Sequence, residues 1–111
     1  MSEILGAFEQ AVLLAVVRLG DGAYGRAILK EVQDRLHREV APGAIHATLE
    51  RLLTKRLVAS YLGSGTANRA GRERRYYRLE PMGLQALDDA RVAMHQLWRG
   101  LRWPPKVKGA T

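Results

Sequence analysis

The hydrophobic positions of this chain change their period several times, and each change marks an element. From Ile4 to Leu19 the apolar residues Leu5, Phe8, Val12, Leu13, Val16 and Val17 leave only Glu9, Gln10 and Arg18 clearly polar. That pattern predicts a helix buried over most of its circumference. Gly20-Asp21-Gly22 ends it, because glycine reaches the positive φ that closes a helix. From Ala23 to His37, Tyr24, Ile28, Leu29, Val32 and Leu36 recur at helical spacing, with Arg26, Lys30, Asp34 and Arg38 on the opposite side. Pro42-Gly43 starts a third helix, proline losing nothing at a first helical position. Its buried stripe is Ile45, Leu49, Leu52 and Leu53, and Gly43, His46, Ala47, Glu50, Arg51, Thr54 and Lys55 are left to face outward.

Beyond Lys55-Arg56 the period shortens. Leu57 to Leu62 reads as a strand, Gly63 to Gly71 as a polar loop and Arg74 to Leu79 as a second strand, which together make a hairpin. Alternation sends Tyr77 and Leu79 toward the core and Arg74, Tyr76 and Arg78 the other way. A last helix, Pro81 to Leu101, carries Leu87, Ala90, Met94, Leu97 and Leu101 at steps of three and four, a narrow seam of the kind two helices bury against each other. The partner is a second copy or the first helix of the same chain. The expected class is α+β, mostly helical. It divides into a three-helix and hairpin unit over 1–80, a terminal helix over 81–103 and a flexible tail over 104–111.

Composition narrows the function. A chain of 111 residues is one compact domain, and it holds no cysteine, which excludes a disulfide scaffold, a thiolate metal site and a thiol nucleophile. The longest apolar run, Ala11 to Val17, is far short of a membrane span, and the acidic start lacks the basic head of a signal peptide. A cytoplasmic protein with no membrane partner is expected. His37, His46 and His95 lack ligand spacing, no phosphate-cradling glycine loop is present, and the adjacent Asp88-Asp89 carboxylates diverge on a helix. Neither an enzyme nor a cofactor or metal site is expected.

Charge supplies the positive indication. Residues 51–78 hold 8 basic and one acidic side chain, equal to the whole net charge of +7. A cationic patch of this kind asks for a polyanion. Three helices followed by a basic hairpin describe a winged helix-turn-helix, whose third helix enters the major groove of double-stranded DNA while the hairpin arginines follow phosphates or the minor groove.

Two stretches carry a family resemblance. Gly22-Ala23-Tyr24-Gly25 opens the second helix, and Ala41-Pro42-Gly43-Ala44-Ile45-His46-Ala47-Thr48-Leu49-Glu50-Arg51-Leu52 spans the third. With Lys55-Arg56-Leu57-Val58, the run Gly71 to Leu79 and Gly83, they make the chain resemble the short form of the PadR family of bacterial transcriptional regulators. The resemblance implies a DNA-binding regulator, a homodimeric repressor joined through its last helix. It departs from the family at Ile45-His46, where an aromatic residue is common, at Ala41, a position of usual Ser or Thr capping, and at Glu80, where Thr is usual.

The expected DNA contacts are Gly43, His46, Ala47, Arg51, Lys55, Arg69, Arg72, Arg74 and Tyr76. Glu50 is either a reader of cytosine or an internal partner of Arg51 or Lys55, the second being favoured. Phe8, Val12, Leu87, Met94, Leu97, Trp98 and Leu101 are expected at the dimer interface. Trp98 is either simple filler there or, as the resemblance implies, part of a cavity with Phe8, Val12 and Met94 for a small, flat hydrophobic effector. The competing reading is a winged-helix protein-interaction module that binds no specific DNA. RNA binding fares worse, since the Tyr76-Tyr77 pair alternates between faces and offers at most one base platform.

Overall fold

The computed structural model describes residues 3–63 and 74–109. Its elements are α1 (Ala7–Leu19), a short 3-10 turn (Gly20–Gly22), α2 (Gly25–Leu36), α3 (Pro42–Thr54), β1 (Val58–Gly63), β2 (Arg74–Leu79) and α4 (Pro81–Trp98). The mixed, mostly helical class and the order of elements are those the hydrophobic pattern predicts. Val12, Leu13, Ile28, Leu49 and Leu52 are fully buried and form the centre where α1, α2 and α3 meet. Removing a side chain of this size from water stabilises a fold by roughly 1.5–3 kcal/mol.

The turns have identifiable causes. Gly20 adopts φ +55, which ends α1. His37 closes α2 in the left-handed conformation at φ 54, and the Gln33 Oε1 accepts from the Val40 N–H at 3.0 Å. That side chain substitutes for a backbone partner and sets the turn between α2 and α3. Pro42 stands at the start of α3, and Ala41 before it supplies no side-chain cap.

The hairpin pairs antiparallel with Val58 opposite Leu79, Ser60 opposite Tyr77 and Tyr61 opposite Tyr76. Extended Tyr24 adds a one-residue bridge to Tyr76, and the Tyr77 N–H donates to the Ala23 carbonyl at 2.8 Å. The loop before α2 thereby joins the sheet and anchors the hairpin to the helices. Gly83 makes the next joint. A Cβ at this position would run into the Leu57 carbonyl oxygen, the same oxygen that accepts from the Glu80 N–H at 3.0 Å.

Two expectations about the helices change. The first helix is not sealed all round: Leu14 and Val17 are about half exposed, because α2, α3 and the hairpin cover only one side of α1. The seam on α4 is split. Ala90 is fully buried and Leu87 packs against the same core, whereas Met94 and Leu97 stand in the open. The helix also ends at Trp98, so Leu101 lies beyond it and the seam stops one position short. Beyond the helix Trp103 packs edge-on against Trp98, with ring centroids 4.9 Å apart.

Candidate nucleic-acid interface

Helix α3 presents three sides. Ile45, Thr48, Leu49 and Leu52 face the core. Thr48 was not expected there, and its hydroxyl is satisfied by the Arg51 guanidinium at 3.0 Å. Gly43, His46, Ala47, Glu50 and Thr54 are exposed and recur at steps of three and four, forming a crest opposite the core.

Arg51 and Lys55 belong to a flank instead. Both reach across to Glu9 on α1, Lys55 at 2.9 Å and Arg51 at 3.9 Å, onto a carboxylate whose side chain is only 13% exposed. The favoured partner for Glu50 is therefore corrected. The cations turn toward α1, where a half-buried carboxylate offers a stronger field than an exposed one, and Glu50 is left beside His46 at 3.9 Å. No hydrogen bond forms at that distance. His46 also stands at the rim of a small cleft, about 120 Å³, floored by Ile45, Leu49 and Tyr77. Burial pushes the Tyr77 phenol up from its ordinary value of 10.0, Arg75 opposing and Glu50 reinforcing the shift.

The alternation expected on β2 holds, with Tyr77 buried and Arg74, Tyr76 and Arg78 on the opposite face. That face is nevertheless not simply solvated. Tyr76 stacks on Tyr61 at 5.7 Å and meets Tyr24 edge-on at 5.7 Å, while Arg74 lies over the Tyr24 ring at 4.2 Å. Arg78 sits over Tyr61 at 5.8 Å. Gly63 opposite the cluster leaves room for the Tyr76 ring, which a Cβ would strike. Tyr76 is thus a packing centre, and Arg74 is half-buried with its Nε lacking a hydrogen-bond partner among the described residues. Arg75 is exposed and donates to the Ser60 hydroxyl at 2.8 Å. Arg69 and Arg72 lie outside the described residues.

The residues expected at an interface between copies divide in the same way. Val12 has no exposed surface in the single chain and belongs to its core, and Phe8 packs against that core. Met94, Leu97, Trp98 and Leu101 are exposed. An apolar groove of about 320 Å³ between α1 and α2, which includes Ala11, Leu14 and Leu36 and has Arg18, Glu31 and Arg35 at its edge, was missed from the sequence. The only local signal was Leu14, one apolar residue too many for a helix with a single buried face.

Among the described residues no helix is long and apolar enough to cross a membrane, and no cluster of three or more His, Cys, Asp or Glu could hold a metal ion. No curated protein matches the chain. Similar solved structures include a PadR family transcriptional regulator from Eggerthella lenta, 28% identical over 80% of this chain and 75% of that one, with a TM-score of 0.64. Another is a PadR family regulator from Clostridium difficile, 26% identical over 84% of this chain and 88% of that one, with a TM-score of 0.56. A PadR-like regulator from Bacillus cereus, 21% identical over 86% and 95% with a TM-score of 0.63, shares the fold. The model of the transcriptional regulator PadR-like family matches residues 13–89, from the middle of α1 through α2, α3 and the hairpin to the middle of α4. With the winged helix-turn-helix geometry, that match makes the chain a member of the PadR-like family of DNA-binding transcriptional regulators, which are not enzymes.

Proposed function

We propose that this chain acts in the cytoplasm as a homodimeric repressor that occupies a near-palindromic operator and leaves it when a ligand or partner favours another arrangement of the subunits. The observation that carries the dimer is the exposed apolar surface. Leu14 and Val17 on α1 and Met94, Leu97 and Trp98 on α4 lie between 43% and 66% exposed, and large apolar side chains left open on two helices are what an interaction surface presents. Two copies related by a two-fold axis would cover it and set two recognition helices against half-sites about 10 base pairs apart.

Gly43, His46 and Ala47 would approach the bases. Arg51 and Lys55 would meet backbone phosphates at the flank of α3, and Arg69, Arg72 and Arg74 of the hairpin would meet them or the minor groove. Tyr76 would act by stiffening the hairpin. Release requires a ligand with differential affinity for two subunit arrangements. Met94 and Trp98, with their partners on the second copy, are the residues a flat hydrophobic effector would touch.

Fluorescence anisotropy tests the reading, with duplex DNA from upstream of the gene, a scrambled duplex and single-stranded RNA titrated at several salt concentrations. Binding to the upstream duplex is expected about a thousandfold tighter than to the scrambled one. About 3 phosphates neutralised per subunit give a slope of log K against log[salt] near −5. Equal, weak binding to all three would refute the repressor and favour a protein-interaction module.

A further inference from the structure

The two exposed sides of α3 differ in chemistry. On the flank, Arg51 and Lys55 are drawn to Glu9, and Arg51 is further tied to Thr48. The crest of Gly43, His46, Ala47, Glu50 and Thr54 contains no lysine or arginine. Among the described residues its two polar heads have no hydrogen-bond partner: the His46 side chain is 74% and the Glu50 side chain 57% exposed, and at 3.9 Å they do not occupy each other's hydrogen-bonding positions. Thr54 donates to the Glu50 backbone carbonyl, which leaves the Glu50 carboxylate uninvolved. Gly43 and Ala47 between them have no bulk to hold the helix off a base edge.

A carboxylate carried toward DNA is repelled by phosphate and tolerated only where a base donates to it. In the major groove the cytosine N4 amino group has an acceptor on one side only, the O6 of its paired guanine, whereas adenine N6 stands between two, its own N7 and the thymine O4, and guanine shows acceptors only. An imidazole N–H has the converse preference and donates to guanine N7 or O6. One helical turn separates residues 46 and 50, so the two heads reach neighbouring base pairs.

Resting on the DNA-binding reading above, we propose that Glu50 and His46, rather than Arg51 and Lys55, read the operator: Glu50 accepts from a cytosine N4 amino group and His46 donates to a guanine on an adjacent pair. Arg51 and Lys55 contribute charge without sequence information. The base preference of this regulator is then set by a donor and an acceptor of opposite character, and each half-site contains a cytosine and a guanine at neighbouring major-groove positions.

The test is selection from randomised duplexes with the full chain, followed by affinity measurements on single-base variants of the enriched site. Wild type is expected to enrich a cytosine and a guanine in each half-site, each worth about tenfold over the alternatives. Glu50→Gln should move the preference at the cytosine position toward adenine, since an amide both donates and accepts there. His46→Ala should erase the guanine preference. Lys55→Ala should weaken every duplex by one common factor. An enriched site whose base preferences survive both Glu50→Gln and His46→Ala overturns the assignment and leaves DNA binding intact. A folded wild type that enriches no sequence overturns the DNA-binding reading and the assignment together.

Discussion

Gly83→Ala isolates the joint between α4 and the hairpin. The added Cβ would collide with the Leu57 carbonyl oxygen, and it would also lie 2.8 Å from a methyl of Leu79. Neither side can rotate away, because one is backbone and the other is packed behind it, so α4 has to shift outward. That shift strains the hydrogen bond from the Glu80 N–H to the Leu57 oxygen, 3.0 Å long, and loosens Leu87 and the fully buried Ala90 against the core. Overpacking of this kind costs about 1–3 kcal/mol, and the lost hydrogen bond about 1 more. Alanine recovers about 1 kcal/mol as the better helix former. The expected net loss is roughly 1–3 kcal/mol, which lowers Tm by about 5–20 °C in a domain of this size. Gly43→Ala is the control, since a Cβ there meets nothing within 4 Å and α3 should gain up to about 1 kcal/mol. Circular dichroism melts of the two variants beside wild type decide the matter. A Gly83→Ala melt unchanged or raised as in Gly43→Ala would refute the reasoning.

Glu9→Gln removes the charge that holds Lys55 and Arg51 at the edge of α3 while keeping an acceptor in place. Stability should fall by about 1 kcal/mol, because the carboxylate is mostly covered but its two cations remain about half exposed and screened by water. Binding to any duplex should tighten, with a salt slope steeper by about 1–2 for a dimer; an unchanged slope would place Lys55 away from phosphate. Tyr77 supplies the pH prediction: its phenol is raised by burial, so the folded state favours the protonated ring. The stability it contributes is intact below pH 10 and lost as the pH climbs through the folded value. Alkaline denaturation monitored by fluorescence should therefore begin at higher pH in Tyr77→Phe, and identical profiles would count against the burial argument. Leu97→Glu puts a charge on a surface that is 66% exposed in one chain. Sedimentation equilibrium should show folded monomers that melt lower, because the subunit contact no longer stabilises them, and that have lost operator affinity; a dimer that persists would move the interface off this face of α4.

What the chain determined by itself is the local part of the structure. Hydrophobic period, turn glycines and the proline that opens α3 set the element order, and the sequence itself shows the positive charge concentrated between residues 51 and 78. Period is a property of residues three or four apart, so it survives in the sequence as written. The outward stripe of α3 was legible for the same reason, as far as Gly43, His46 and Ala47.

Other decisions needed the folded chain. Glu9 and Lys55 are 46 positions apart, and nothing in either neighbourhood indicates that they pair. Their contact exists because α1 and α3 cross, and it takes Arg51 and Lys55 off the crest and leaves Glu50 open. Tyr24, Tyr61 and Tyr76 come from a loop and two strands and meet only when Tyr24 bridges β2, which packs the Tyr76 ring inside an aromatic cluster that no local pattern announces. Periodicity likewise could not say that Val12 belongs to the core and Leu14 to a groove, since both lie on a helix apolar nearly all round. The sequence states which residues avoid water, whereas the geometry of neighbouring elements decides which of them one chain can cover and which wait for a second surface.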